Sequence, residues 1–276
     1  MRPTPPTRPT PRSSSSPWAE HGGARFGRAA RRRLRHVVPR PARRPYLARV
    51  PLAETTLPLF PLPLVLFPGA TLPLHVFEPR YRQLLADVRD GDGRFGIVLT
   101  TGGPERAIPP GYVGCVAELR DVTELPDGRA NIVVEGTERF ALDRFLVAAT
   151  PYHLAVVGPH ADRDEAADAP LVQAAAARVR DTFGRVARAA RAIADDSDPV
   201  PPLPDDDARV AFAVAAMVDF DLATRQRILA SQSSLGRLRE VEQLLARAVP
   251  GVERRAAVHA RAKSNGHGPH PAPGEA

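Results

Sequence analysis

The spacing of apolar residues in this chain changes once, and that change limits the fold more than any other feature. From Leu57 to about Gly158 they come in short β-prone runs: Val65–Phe67, Leu72–Phe77, Gly96–Thr100, Val113–Val122, Ala130–Val134, Arg139–Val147 and Tyr152–Val157. From Val172 they recur in steps of four and three, at Ala176, Val179, Phe183, Val186, Ala190 and Ile193, which is the seam of a long helix packed on partners. An alternating pattern buries one face of a sheet and a near-3.5 pattern buries one face of a helix. The chain therefore reads as α+β, with a mostly antiparallel β-domain ahead of a helical bundle.

Local signals refine the division. Asp127-Gly128 sits between two β-rich runs as a hairpin turn does, and Pro68-Gly69 marks a second turn. One helix interrupts the sheet. Pro79 suits a first helical position, Tyr81, Leu84, Leu85 and Val88 share one face, and Gly91 suits the stop. After an acidic linker at Ala161–Ala169 come the long helix, a break at Asp195–Pro204, a helix entered through Asp205–Asp207, and two more at Asp221–Ala230 and Leu235–Arg247. The expected organisation is a disordered Arg/Pro-rich leader at 1–56, a β-domain at 57–159, a helical subdomain at 160–250 and a disordered tail at 251–276.

Charge follows the same division. Residues 1–56 hold 13 arginines against Glu20 and Glu54, so the leader carries +11. The tail carries +2, which leaves −6 of the chain's total of +7 for residues 57–250. A mildly acidic folded part lacks the broad basic face that phosphate binding needs, so any affinity for nucleic acid belongs to the leader. That leader also resembles an organelle transit peptide, although a bacterial tail is the simpler reading. The longest apolar run, Leu57–Phe67, is short and broken by Pro58, Pro61 and Pro63, so no membrane span is expected. A lone cysteine, Cys115, excludes an internal disulfide and fits a reducing cytoplasm.

Several chemistries are missing. Lys263, in the expected tail, is the only lysine, which removes the Gly-Lys-Ser/Thr end of a phosphate-binding loop and the base of a Ser–Lys peptidase. No serine occurs between Ser16 and Ser197. Cys115 lies in an apolar strand pattern and reads as buried and structural. His75, His153 and His160 show no ligand spacing, so neither metal nor cofactor is expected.

The stretch Leu57-Pro58-Leu59-Phe60-Pro61-Leu62, then Val65-Leu66-Phe67-Pro68-Gly69 and Leu72-Pro73-Leu74-His75-Val76-Phe77-Glu78-Pro79-Arg80-Tyr81, resembles the opening signature of the Lon substrate-binding domain family. Val113-Gly114-Cys115, Pro126–Arg129 and Val134–Phe140 resemble its later strands, and Arg225–Leu229 with Arg237-Leu238 its helices. The resemblance spans about 57–250 and implies a PUA-like β-domain followed by helices. It implies a stand-alone, non-catalytic protein that grips unfolded or extended polypeptide and serves a separately encoded ATPase or protease. Two alternatives stay open: an RNA-binding PUA-like module using the leader, and an enzyme with an unrecognised site.

For the signature residues Phe60, Phe67, Pro68, Gly69, Phe77, Glu78, Pro79, Arg80, Tyr81, Gly136 and Arg139 the expected roles are structural. The phenylalanines would be core, Pro68-Gly69 a turn, and Glu78, Arg80 and Arg139 members of an ion pair or a helix cap. Binding is expected on a surface around Leu62, Leu64, Leu72 and Leu74, where prolines block ladder pairing and mark a sheet edge open to β-augmentation.

Overall fold

The structure is a computed structural model that describes residues 55–163 and 166–265. Its first half holds six strands: β1 (Thr55–Leu62), β2 (Thr71–Val76), β3 (Arg94–Leu99), β4 (Val113–Glu124), β5 (Ala130–Leu146) and β6 (His153–Pro159). Helix α1 (Pro79–Asp90) lies between β2 and β3. The second half holds α2 (Ala169–Ile193), α3 (Asp207–Met217), α4 (Leu222–Ala230) and α5 (Ser234–Asn265). The sheet order is β2-β5-β4-β3-β1-β6, and β5 also pairs with β6. That last pairing closes five strands into a barrel and leaves β2 attached by one side only.

Closure depends on the length of β5, which pairs with β2 at Ala130–Glu135 and with β6 at Phe140–Leu146. The sequence separates Ala130–Val134 from Arg139–Val147, but the two runs form one 17-residue strand. The residues between them, Glu135–Glu138, include Gly136, whose missing side chain hid the continuity. Inside the barrel Leu57, Leu59, Val98, Val116, Phe140, Leu142, Ala155 and Val157 form a small core of their own. The Phe140 ring fills space left by Gly96 and Gly114, where an added Cβ would sit 2.4–2.9 Å from it. All pairings are antiparallel except β1 with β3.

Two other expectations for the β-domain need correction. Val65–Phe67 is a buried loop and not a strand; the strand precedes it, at Thr55–Leu62. Nor do the prolines of β1 make it an edge, since β1 lies between β3 and β6. Its two ladders are offset: residues 55–59 pair with β6 and 59–62 with β3, so Pro58 and Pro61 each have one unpaired side where a missing N–H costs nothing. Thr55 and Thr56, placed by the sequence in the leader, already pair with Val157 and Val156; the rest of the leader lies outside the described residues.

The helix signals hold. Pro79 opens α1 and Gly91 closes it, with Tyr81, Leu84, Leu85 and Val88 buried. The Asp206 carboxylate accepts from the Ala208 N–H at 3.0 Å to cap α3, and Asp221 accepts from the Thr224 N–H at 2.9 Å to cap α4. The expected tail is another matter. Helix α5 runs through Pro250 to Asn265, and only residues 266–276 lie outside the described residues. Ion pairs to α2 on both sides of the proline hold it: Arg178–Glu242 at 2.7 Å and Arg185–Glu253 at 3.0 Å. Lys263 then reaches Asp195, just past the end of α2, at 2.6 Å. Partners advance together along both helices, so α2 and α5 run parallel. The hydrogen bond and ring clearance lost at Pro250 are offset by this packing.

Candidate functional site

Three places gather the residues singled out by sequence. The first surrounds the start of α1. The Phe60 and Tyr81 rings stack with centroids 4.0 Å apart, both buried. Glu78 stands at the N-cap of α1, yet its carboxylate makes no cap bond and instead accepts from Arg80 Nε at 3.0 Å. Arg80 also donates through both terminal nitrogens to Glu105, at 2.8 and 2.9 Å, and His153 Nε2 approaches the same carboxylate at 2.8 Å. Burial disfavours the Arg80 charge, but the Glu105 and Glu78 carboxylates outweigh it and raise its pKa. Burial, with the nearby Glu105 carboxylate, raises the Tyr81 phenol as well. These groups satisfy one another.

The second place is the Phe67–Ala70 turn, which lies against β5. Gly69 adopts φ +81 and donates its N–H to the Gly136 carbonyl at 2.7 Å, while the Gly136 N–H donates to the Ala70 carbonyl at 2.9 Å. Phe67 is fully buried and stands 6.0 Å from Phe212 of α3, so the turn joins the barrel to the helices.

The third place caps α4. The carbonyls that end this helix need donors. Arg139 Nη1 donates to the Leu229 carbonyl at 2.8 Å and to that of Ser231 at 2.5 Å, and the Ala230 carbonyl accepts from His160 Nε2 at 2.8 Å. Arg237, fully buried, donates to the Ser231 carbonyl at 2.8 Å and to both Asp162 oxygens at 2.5 and 2.6 Å. Arg139 also donates to Asp162. Both guanidiniums lie over the Phe212 ring, at 5.2 and 4.3 Å. Burial alone would raise the Asp162 pKa, but the Arg237 and Arg139 charges prevail and hold it below the usual carboxylate range. Burial lowers the pKa of His160, so a neutral ring donates to Ala230. The sequence assigned Arg139 a structural role, but Asp162 was passed over as linker because a single acid in an acidic stretch carries no signal.

The proposed binding leucines do not form one site. Leu72 and Leu74 share the inner face of β2, opposite Val134 and Ile132. Leu62 ends β1, which β5, β4 and β3 separate from β2 in the sheet, and Leu64 lies in the following loop. All four are half-buried and pack on the larger core. The outer face of β2 differs. Thr71, Pro73 and His75 are exposed, and Phe77, expected in the core, continues their alternation and is 52% exposed. Its ring stacks beside His75 at 6.0 Å. Counting by twos from Thr71 would have placed Phe77 outside, but its apolar character outweighed that count. Pro73, His75, Asp121, Thr123, Asn131 and Val133 line a shallow concavity of about 340 Å³ on this side of the sheet. A larger cleft of about 490 Å³ lies between α4 and the barrel, lined by Leu99, Tyr112, Val113, Leu222 and Ala223 among others.

Burial pushes the Cys115 thiol up to about 12. It is therefore expected to resist a colorimetric thiol reagent at pH 8 in the folded protein and to react at once in denaturant; fast labelling of the native chain would contradict its placement. No group of three or more His, Cys, Asp or Glu among the described residues is placed to hold a metal, and no described helix is long and apolar enough to cross a membrane.

The family model of the ATP-dependent protease La (LON) substrate-binding domain matches residues 56–247. Lon protease 1 of Syntrophobacter fumaroxidans is 26% identical over 198 residues, which are 70% of this chain and 23% of that protein. Lon protease of Parabacteroides distasonis is 31% identical over 101 residues, 35% of this chain and 12% of that protein. The chain thus spans less than a quarter of the length of these curated relatives. Among solved structures, the N-terminal domain of Mycobacterium avium complex Lon protease superposes with a TM-score of 0.51 at 15% identity, over 70% of this chain and 98% of that one. The Lon N-terminal domain protein from Xanthomonas campestris gives 0.46 at 27% identity with the same coverage.

Proposed function

The chain belongs to the Lon substrate-binding domain family, and from that premise we propose that it binds unfolded or extended polypeptide without cutting it. The observation that carries the reading is β2, the one strand among the described residues that is joined to the sheet by a single ladder. An extended peptide can pair with its open side through main-chain hydrogen bonds, which tolerate many sequences. Phe77, Pro73 and His75 then offer apolar and aromatic contact, while Leu72 and Leu74 form the half-buried bed beneath. Pro73 removes one donor from β2, which limits pairing between copies. The family's recognition role, the buried Cys115 and the commitment of Lys263 to Asp195 support a non-catalytic reading. In this reading the protein works in the bacterial cytoplasm as an adaptor that presents chains to a separately encoded ATPase or protease.

The test is a titration of a labelled, permanently unfolded protein and of its compact native form against the full chain, with and without ATP, in enough salt to mute the arginine leader. Selective binding of the unfolded form is expected, with Kd on the order of micromolar because a flexible peptide loses entropy on ordering. Phe77→Asp should weaken it about tenfold with an unchanged melting curve. Equal affinity for both forms would end the recognition reading, and ATP hydrolysis or cleavage of the label would end the non-catalytic one.

A further inference from the structure

The outer face of the sheet beside β2 holds a carboxylate that the fold leaves to solvent. Two rungs cross this face from β4 through β5 to β2: Asp121–Val133–Pro73 and Thr123–Asn131–His75. All six residues line the concavity of about 340 Å³. Asp121 is exposed there, and among the described residues no arginine, lysine or histidine bonds to it. The acids around it are engaged: Glu118 and Glu135 share Arg120, at 2.7 and 2.9 Å, Glu124 pairs with Arg89, and Asp127 with Arg129 at 2.5 Å. Two glutamates on one arginine keep a further negative charge on this face. Phe77 stands exposed at the end of the same stripe, and the face of an aromatic ring attracts cations.

We propose that this face selects, among extended polypeptides, segments with basic side chains at alternate positions. The inference rests on the polypeptide-binding reading and adds to it the charge of the client. A peptide paired with the open side of β2 lies three strand spacings from β4, about 14 Å. An arginine side chain crossing β2 over Pro73 covers about half of that, and the remainder is within the screening length of about 8 Å at physiological salt. The Asp121 carboxylate therefore attracts the cation without touching it, and the preference is modest and depends on salt. Phe77 adds its ring face to basic side chains at the end of the strand. A phosphate backbone carries the wrong sign for this surface.

The probes are two labelled peptides of about eight residues, identical except that alternate positions hold arginine in one and its neutral isostere citrulline in the other. Alternate positions share one face of a strand, so one register brings all the charges to the outer side together. Each is titrated by fluorescence anisotropy against the full chain, against Asp121→Asn and against the double variant Asp121→Asn, Phe77→Leu. Both positions are exposed, so unchanged melting curves are expected. The leader arginines act alike on all three proteins, so a change in the arginine-over-citrulline affinity ratio reports on this face. The ratio is expected to fall about threefold from the wild type to the double variant, with Asp121→Asn between them, and the fall should shrink at high salt. A ratio that is the same in all three proteins, or that rises in the variants, would overturn the proposal. If neither peptide binds any of the proteins, the polypeptide-binding reading itself fails and the basic preference falls with it.

Discussion

Arg237→Ala should be the most damaging single substitution in the helical half, lowering stability by about 3–5 kcal/mol as the loss of one member of a buried ion-pair network does. Arg237 is fully buried and bonds both oxygens of Asp162, the Ser231 carbonyl and, at 3.3 Å, the Ala208 carbonyl. Removing it leaves Asp162 and the Ser231 carbonyl to Arg139 alone and takes one donor from the part-buried Ala208 carbonyl. The cavity beside Phe212 adds to the loss. Arg237→Lys should recover only part, because an ammonium cannot reach both carboxylate oxygens and two carbonyls from one position. Urea denaturation with equal slopes for both variants and the wild type is the measurement; a change below about 1 kcal/mol would show that the network is not what fixes the end of α4.

The same network predicts how the fold responds to acid. The native pKa of Asp162 is depressed, so its stabilisation is present in full above the unfolded carboxylate value of about 3.9 and is lost as pH falls through the lower native value. In Arg237→Ala the depression shrinks. The gap between wild type and variant should therefore narrow below about pH 4.

How much of this could be read in the sequence depended on whether the signal was local. Turns and caps are local. Asp127-Gly128, Pro79, Gly91, Asp206 and Asp221 all sit where their backbone chemistry puts them, since each acts within three or four residues of itself. Pairing across the chain is not local. Pro58 and Pro61 read as edge markers, but only the register shows that the ladders of β1 change sides at Leu59. Pro250 reads as the end of a helix, yet α2 runs alongside and supplies Arg185, and the turn after it Asp195, to the residues beyond. The candidate binding surface was half legible: the family signature led to β2 but to its inner leucines, while the exposed set of Thr71, Pro73, His75 and Phe77 follows from strand alternation alone.

Gly136→Ala is expected to be the worst substitution in the barrel, for a reason no propensity scale contains. A Cβ there would stand 2.2 Å from the Phe67 carbonyl oxygen and 2.9 Å from its carbon. Both obstacles are backbone, so no rotamer change relieves them. The turn cannot withdraw cheaply either, because the Gly69 N–H to Gly136 carbonyl bond at 2.7 Å and the Gly136 N–H to Ala70 carbonyl bond at 2.9 Å hold it against β5. If it did withdraw, it would take Phe67 off Phe212 and open the contact between barrel and helices. Overpacking costs about 1–3 kcal/mol where side chains can yield; with two backbone segments opposed, the expected loss is at or above the top of that range. Gly69→Ala is the matched control. It has open space around its Cβ, and its φ of +81 is the sole penalty, about 1–2 kcal/mol for a left-handed residue with a side chain. Chemical denaturation of the two variants side by side separates steric from conformational demand. Equal losses would mean that the turn gives way to the new methyl group and that the close approach of Phe67 to Gly136 does not tie the signature segment to β5.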